Sequence, residues 1–418
     1  TPYAARRYIE KEYPGVTVRT VRLHPDGARL ALDVDRPGLR ATLPDVWVSR
    51  DKCVTVTGGH VWLTLGDSGG AKAPEHKLTA SGLTVEVKRA DWTGTLEGAA
   101  LAEDGTITVT QACGSGPDAK GSLHGIRKTP DGTITVARAE VIPARDLPLK
   151  PPFTLEGVTL GADRKKISAK TISADGQRAD DVTVDLTDLD KLGTLRIQAA
   201  SAVVQHAWAN PVPVVFDRPV KILVAGGVIT AEVGDAGISW FRGARTVDGV
   251  GTCEAWVNAF PLGLREPLEG FSFTGKVDFR VVYGDKPSLV LNGACRAKCD
   301  APRIKALRGP FHYEVYTSKN LLVDRVAGPG SREWMPLPAL GTTLPTAAIT
   351  MEDPGFTYHR GFVVQAYLNS LIDNLKLGRF HRGGSTISMQ LAKNLWLRRD
   401  KTLGRKAQEF FLAQALES

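Results

Sequence analysis

With 418 residues, the chain exceeds one ordinary hydrophobic core and predicts two or three domains. Its 42% hydrophobic and 23% charged residues are typical of a globular protein. The sequence contains no run of about twenty apolar residues, the pattern that predicts a membrane-spanning helix. The net charge of +8 does not indicate a nucleic acid partner, because no zinc-finger or aromatic RNA-reading motif accompanies it. Lysine and arginine concentrate after residue 360, which favours an anionic ligand or a membrane surface.

Residues 1–304 predict a long succession of short β-strands. Apolar and polar residues alternate in segments such as 16–23, 82–88 and 182–186. The phrase Asp-Gly-Thr-Ile-Thr-Val occurs at 104–109 and again at 131–136, each time as a turn followed by an alternating strand. Two copies predict a repeated hairpin unit. A Pro-rich segment at 143–152 predicts a division into two β-rich lobes, 1–150 and 151–304.

The function of this β-rich region has two interpretations. It is a spacer or scaffold with an alternating core, or it binds a ligand of its own. In outline the region resembles the repetitive β-rich domains of AsmA-like envelope proteins. That resemblance implies a lipid held in a β-groove or sandwich.

The five cysteines are too few for a disulfide-based scaffold, and their number is odd. Cys295 and Cys299 lie four residues apart without a histidine-rich partner, so a zinc site is not favoured. One or two structural disulfides in an oxidising compartment fit the count better. The pairing stays open, and one cysteine is left without a partner in this chain.

Residues 305–418 change in character, because a short strand pair is followed by segments with helical periodicity. The first cluster of interest runs from Glu352 to Gly361, where an acidic pair is followed at once by Pro and Gly. A buried Glu352 beside Phe356 would have a raised pKa, as a general base requires. The alternative is a solvated acidic pair at a helix end.

A second cluster begins at Arg382 and marks the start of a predicted helix at 385–397. Gly383 and Gly384 allow the backbone to approach a ligand closely, and Ser385 or Thr386 can cap the helix. Its N-terminus offers free N–H groups and a positive dipole to a phosphate. Three side chains one turn apart share a face of this helix: Gln390, Lys393 and Asn394. Any loop-to-helix junction can contain Gly-Gly-Ser-Thr, so this pattern alone is weak.

The third cluster is Arg405, Lys406 and Glu409, on a helix predicted from 403 to the end. Arg405 and Glu409 are four residues apart and therefore neighbours on the helix. Without further evidence, the pair is interpreted as a surface salt bridge that stabilises the protein by only ~0.3 kcal/mol.

Together, in this order and spacing, the clusters resemble the first three signature motifs of glycosyltransferase family 51. The patterns are Glu-Asp-x-x-Phe-x-x-His-x-Gly, Gly-Gly-Ser-Thr-Ile with Gln-Leu-x-Lys-Asn, and Arg-Lys-x-x-Glu. This is the transglycosylase module of bifunctional penicillin-binding proteins and of monofunctional transglycosylases. The resemblance covers 329–418. It implies a lysozyme-like α-helical domain that polymerises lipid II into glycan strands, with inversion and release of undecaprenyl diphosphate.

The resemblance also implies a role for each matching residue. Glu352 is the general base, and Glu409 is the second catalytic carboxylate, which orients Arg405 or helps to hold a divalent cation (Mg or Mn) at the diphosphate. The residues expected to bind diphosphate and sugar are Ser385, Thr386, Gln390, Lys393, Asn394, Arg405 and Lys406. The residues expected to support the loops are Asp353, Phe356, His359, Gly383 and Gly384.

The implied setting is cell-wall biosynthesis and cell shape at the periplasmic face of the inner membrane, although the chain shows no anchor. The implied partners are lipid II, the nascent glycan strand and the membrane surface. The same fold serves lytic enzymes. The Gly-Gly-Ser-Thr and Arg-Lys-x-x-Glu motifs favour synthesis, because hydrolysis has no diphosphate for them to bind. A second alternative is a non-catalytic, β-rich lipid-binding or scaffold protein with an incomplete transglycosylase head.

The family's fourth and fifth motifs have no counterpart before Ser418. We therefore expect an incomplete glycosyltransferase domain whose last helix exposes Phe410, Phe411, Leu412 and Leu416, and a chain that is inactive by itself.

Overall fold

The computed structural model describes residues 1–51, 53–64, 78–144, 150–206, 210–284, 287–297, 302–317, 321–377, 379, 381, 383–397 and 402–418. Arg382, Cys299 and Gly378 lie outside this set. The chain divides into two compact units, 1–187 and 188–418. A β-rich region precedes a helical region, which confirms the predicted fold class. No helix in the described ranges has the length and apolar character that crossing a membrane requires.

The first unit is a sheet in which each strand pairs with the next along the chain. All pairs are antiparallel except β4 with β5, which is parallel. The elements are α1 (Pro2–Glu12), β1 (Val16–His24), β2 (Gly27–Arg36), β3 (Leu39–Ser49), β4 (Val54–Thr64), β5 (Leu78–Arg89), β6 (Trp92–Leu101), β7 (Ile107–Ser115), β8 (Ala119–Lys128), β9 (Ile134–Pro143), β10 (Phe153–Leu160), β11 (Lys166–Ala174) and β12 (Gln177–Asp185).

The repeated phrase forms the same turn twice, which confirms the predicted hairpin repeat. Asp104 accepts a hydrogen bond from the Thr106 amide at 2.8 Å, and Asp131 accepts one from the Thr133 amide at 3.2 Å. The hydrogen bonds from the Thr106 amide and hydroxyl hold the pKa of Asp104 below its usual value. Hydrogen bonds from the Thr129 hydroxyl, and from the Thr133 hydroxyl and amide, lower the pKa of Asp131. Such Asp side chains fix tight turns by satisfying backbone donors locally.

The predicted boundaries at 150 and 304 both fall inside these compact units. Strands β9 and β10 pair across the Pro-rich segment, with Phe153 opposite Val141, so the sheet continues through it. As limits of independently folding domains, 1–150, 151–304 and 305–418 stay predictions.

The second unit contains further antiparallel strand pairs, a separate hairpin and most of the helices. In it β16 pairs with β13, strands β16 to β21 pair in chain order, β14 pairs with β15, and β22 pairs with β23. The strands are β13 (Leu195–Ala199), β14 (Ser201–His206), β15 (Asn210–Phe216), β16 (Val220–Ala225), β17 (Val228–Val233), β18 (Ala236–Phe241), β19 (Thr246–Val250), β20 (Phe273–Val282), β21 (Ser288–Ala297), β22 (Phe311–Tyr316) and β23 (Leu322–Ala327).

The helices of the second unit lie between and after these strands. They are α2 (Leu189–Leu192), α3 (Cys253–Ala259), α4 (Leu262–Arg265), α5 (Pro302–Ala306), α6 (Thr343–Glu352), α7 (Val364–Leu377), α8 (Ile387–Trp396) and α9 (Leu403–Leu416), with 3-10 turns at Glu266–Leu268 and Leu337–Leu340. Threonine side chains start three of them by capping: Thr252, Thr386 and Thr402.

The core of the second unit joins its sheet to its last helix. Cys253 of α3 forms a disulfide with Cys295 of β21, and both are almost fully buried. Phe411 and Leu412 of α9 belong to the same apolar cluster. The expectation that α9 exposes its apolar face is therefore wrong: Leu412 is 0% exposed and Phe411 only 6%. The reason is tertiary, because the Phe411 ring packs on Phe273 of β20 at 5.5 Å between centroids.

Candidate active site

The carboxylate of Asp353 joins the first motif to the second. It follows α6 directly and is only 6% exposed. It lies 2.9 Å from His359 Nε2 and accepts a hydrogen bond from the Ile387 amide at 3.0 Å. Because Ile387 is the first residue of α8, Asp353 satisfies a free donor at that helix N-terminus, where the dipole also favours a negative charge. The position of Asp353 and His359 fits the supporting role that the resemblance implies.

Glu352 is the last residue of α6 and is exposed to solvent. The Gln390 side chain of α8 donates a hydrogen bond to its Oε2 at 2.8 Å. The expectation of a buried Glu352 beside Phe356 is wrong, because α6 buries none of its residues. Phe356 instead lies edge-on to His359, at 6.3 Å between ring centroids. Contact with Gln390 therefore sets the orientation of this carboxylate.

Thr386, not Ser385, caps α8. Its hydroxyl accepts from the Met389 amide at 3.2 Å and donates to the Gly361 carbonyl at 2.7 Å. Thr386 is 3% exposed. The structure thus places this predicted ligand-binding residue inside the fold, where both functions of its hydroxyl are used.

The two glycines before Ser385 have different surroundings. A Cβ atom at Gly384 would overlap the carbonyl of Ala366 in α7, whereas at Gly383 the nearest atom, Ser385 Oγ, would be 3.9 Å away. The close approach at Gly384 is therefore to the protein's own backbone. Gly383 is exposed and remains open to a ligand.

We expect Gly384→Ala to lower the free energy of unfolding by about 1–3 kcal/mol, the usual cost of overpacking. Its matched control, Gly383→Ala, should change that free energy by no more than about 0.5 kcal/mol. Urea unfolding of both variants measures the difference. Equal effects of the two substitutions would contradict the close packing of Gly384 on α7.

Lys406 of α9 reaches across to the loop before α8. Its Nζ donates to the Ser385 hydroxyl and, at 2.7 Å, to Glu409 Oε2. Arg405 donates to the other oxygen, Glu409 Oε1. Glu409 is 1% exposed and Arg405 8%, so this is a buried ion pair and not the surface salt bridge considered from spacing alone.

Lys406 has a strongly perturbed pKa. Burial, together with the nearby charges of Arg405 and Lys393, lowers this pKa to about 8. We refer to Lys393, Arg405, Lys406 and Glu409 as the cationic cluster. With three cations and one anion, the cluster is positive overall and suited to an anionic group.

The remaining predicted ligand-binding residues lie on α8. Lys393 is half-buried near Lys406, one turn beyond Gln390, and Asn394 is exposed. The structure thus brings together Ser385, Gln390 and Lys393 with the charged residues of α9, while it gives Asn394 no defined role.

Glu409 does not fit the expected role of a metal ligand. Both of its oxygens accept hydrogen bonds from cations, and a carboxylate neutralised in this way competes poorly for Mg²⁺ or Mn²⁺. Within the described ranges, no group of three or more His, Cys, Asp or Glu side chains is arranged to hold a metal ion. No step below passes through a metal.

Sequence reasoning missed the residues that position α9. Gln408 donates to the Leu264 carbonyl of α4 at 2.6 Å, and Gln414 donates to the Arg360 carbonyl at 2.7 Å. Glu417 accepts from the Ser388 hydroxyl. The one available signal was polar Gln within an apolar helix, because buried polar groups need partners.

The fold and the site define a β-rich protein with a helical segment that presents a carboxylate and a cationic cluster, a combination suited to transfer from a phosphorylated donor. Residues 319–418 match the family described as transglycosylase.

Relatives of this segment have informative names. The biosynthetic peptidoglycan transglycosylase of Nitrosospira multiformis is 48% identical over 84 residues, 20% of this chain and 36% of that protein. That of Cupriavidus pinatubonensis is 42% identical over 86 residues, 21% of this chain and 34% of that protein. Penicillin-binding protein 1A of Aquifex aeolicus is 35% identical over 118 residues, 28% of this chain and 16% of that protein. The chain thus spans about a third of the biosynthetic transglycosylases and less of the third relative.

Proposed function

We propose that this protein is a peptidoglycan glycosyltransferase that polymerises lipid II into glycan strands and releases undecaprenyl diphosphate. The observation that carries the proposal is that α8 contacts both groups: its Gln390 holds Glu352, and its Lys393, one turn further along, lies near Lys406 of the cationic cluster. The names of the matched relatives support peptidoglycan as the product.

In the proposed reaction, Glu352 takes the proton from the 4-hydroxyl of the acceptor GlcNAc. The acceptor oxygen then forms a bond to the donor's anomeric carbon, and the bond from that carbon to the diphosphate oxygen breaks with inversion. The bonding electrons leave with the diphosphate, whose charge Lys406 and Lys393 neutralise. Glu409 and Arg405 act indirectly, because their buried pair holds Lys406 in place.

The proposed location is the periplasmic face of the bacterial inner membrane, where the substrate's lipid tail is anchored. A buried disulfide supports an oxidising compartment. The proposed partners are lipid II, the nascent strand and the membrane surface. The resemblance to AsmA-like proteins supports a further proposal, that the β-region holds lipid.

The alternative is a non-catalytic, β-rich envelope protein that binds lipid or acts as a scaffold. Its support is that most of the chain lies outside the transglycosylase match. Incubation of the full-length natural protein with purified lipid II separates the two functions. Formation of glycan strands supports the enzyme, whereas a folded full-length protein that leaves lipid II unchanged would favour the scaffold.

We expect kcat/KM for lipid II to fall about tenfold as the pH rises through about 8. Below that pH the Lys406 ammonium can neutralise the diphosphate, and above it the neutral amine cannot. Lys406→Arg, which stays charged, should abolish this decrease, whereas Lys305→Arg on an exposed helix should keep it. If the Lys406→Arg variant lost activity at high pH as the wild type does, another group would be responsible.

A further inference from the structure

The first unit contains a cavity of about 740 Å³ on its sheet, here called the sheet cavity. Seven of its lining residues form one cross-strand row, directly opposite one another on strands β3 to β9. They are Arg40, Trp62, Glu86, Thr95, Cys113, Ser122 and Glu140. Six strand spacings of ~4.8 Å give the row a length of roughly 29 Å, enough for an extended ligand.

The aromatic side chain of the row, Trp62, is held in a fixed orientation. Its ring stacks on His60, with centroids 4.4 Å apart and planes 15° from parallel. His60 in turn lies 2.9 Å from Glu86 Oε1. Because His60 covers one face of the indole, a ligand can stack only on the opposite face. The negative face of an aromatic ring attracts the polarised C–H groups of a sugar.

Some of the charged side chains that line the sheet cavity have ion-pair partners and others do not. Glu86 contacts His60, and Glu140 pairs with Arg138 at 2.7 Å. Lys88 and Lys120 also line the cavity, in the adjacent row, and neither has a carboxylate partner among the described residues. Two ammonium groups without carboxylate partners among the described residues favour a ligand with negatively charged groups.

The lining argues against an acyl chain as the occupant of this cavity. Its row contains two carboxylates, two hydroxyls and a thiol, and these would lose hydration without gaining partners against hydrocarbon. Val61 and Val85 of the same strands belong instead to a hydrophobic cluster, of which only Leu63 and Val87 also line the cavity. Hydroxyl groups, charged groups and an indole ring held by stacking on His60 are the kinds of group that recognise a carbohydrate.

We propose that the sheet cavity binds an anionic saccharide, namely a peptidoglycan glycan strand with its carboxylate-bearing substituents. Sugar rings stack on Trp62, and carboxylates pair with Lys88 and Lys120. The choice of glycan rests on the proposed function, because a site on the same chain raises the effective concentration of strands made there. The length of the row favours a strand over a single disaccharide.

The test is calorimetric titration of the intact protein with soluble, uncrosslinked glycan strands that retain their stem peptides. Trp62→Ala should raise the Kd at least about tenfold. Lys88→Ala combined with Lys120→Ala should raise the Kd and flatten its dependence on salt. Trp92→Ala and Lys128→Ala alter exposed residues of the same sheet outside the cavity, and should leave the Kd unchanged.

A second variant tests the same site independently, in case Trp62→Ala does not fold. Cys113→Glu adds a negative charge at an exposed position in the middle of the row, and should also weaken strand binding. Unchanged affinity in both variants would overturn the proposal. So would equal affinity for the monomeric disaccharide-peptide, or competition by anionic phospholipid vesicles that depends on the same residues.

This binding assay needs no turnover, so it fails independently of the proposed function. Strand synthesis by a protein that does not bind strands through Trp62 would remove only the sheet-cavity proposal. Strand binding without synthesis would remove only the enzymatic function.

Discussion

Replacing Glu352 by Gln is expected to lower the rate of lipid II polymerisation at least about a hundredfold, the lower range for a lost general base. The amide cannot accept the acceptor's proton. Its oxygen can still accept the hydrogen bond that Gln390 donates, so the geometry of the site is kept. The exposed position of Glu352 at the end of α6 makes a folding defect from this change small.

Initial rates of lipid II consumption, together with the thermal midpoint of each variant, measure this effect. Glu333→Gln is the matched control, because Glu333 is a carboxylate of the same unit that pairs only with Arg325 in the described structure. It should keep the wild-type rate. Near-normal turnover by folded Glu352→Gln would exclude Glu352 as the base.

Removing the Cys253–Cys295 disulfide is expected to cost about 4 kcal/mol of unfolding free energy, since it closes a loop with a sequence separation of 42. Both cysteines lie in the apolar cluster that also holds Phe411 and Leu412 of α9. Loosening this core should therefore displace α9, which carries the cationic cluster. Polymerisation should fall together with stability.

The measurement is urea unfolding of a Cys253→Ala, Cys295→Ala double variant, with lipid II consumption followed at the same temperatures. Cys53→Ala is the control, because Cys53 is a free cysteine in the first unit that lies outside both the disulfide and the sheet cavity. It should leave both quantities unchanged. An unaltered midpoint in the double variant would show that the disulfide does not support this core.

The local features of the fold were readable from the sequence. The two Asp-Gly turns depend on hydrogen bonds between residues two apart, such as Asp104 with Thr106. The start of α8 depends on a cap within three residues, although the pattern left Ser385 and Thr386 as equal candidates. Only the structure separated them, because the Thr386 hydroxyl also donates to Gly361, 25 residues away.

The exposure of each site residue was decided by contacts between distant segments. The sequence left burial and solvation of Glu352 open, and it is exposed, whereas the apolar face of α9 was expected to be exposed and is buried. Neither outcome follows from neighbouring residues: Gln408 is fixed by Leu264, 144 residues earlier. The polar row of the sheet cavity likewise exists only through strand register.

The sequence by itself thus determined the order of β-rich and helical regions, the repeated turns and the three motifs of the segment that matches the transglycosylase family. These depend on periodicity and on spacings of a few residues, which a single chain displays directly. The tertiary structure alone decided which carboxylate is buried, which hydroxyl is already used and what covers α9. The physical reason is that burial depends on which segments, distant in sequence, pack against each other, and a local sequence pattern does not specify the segment that packs against it.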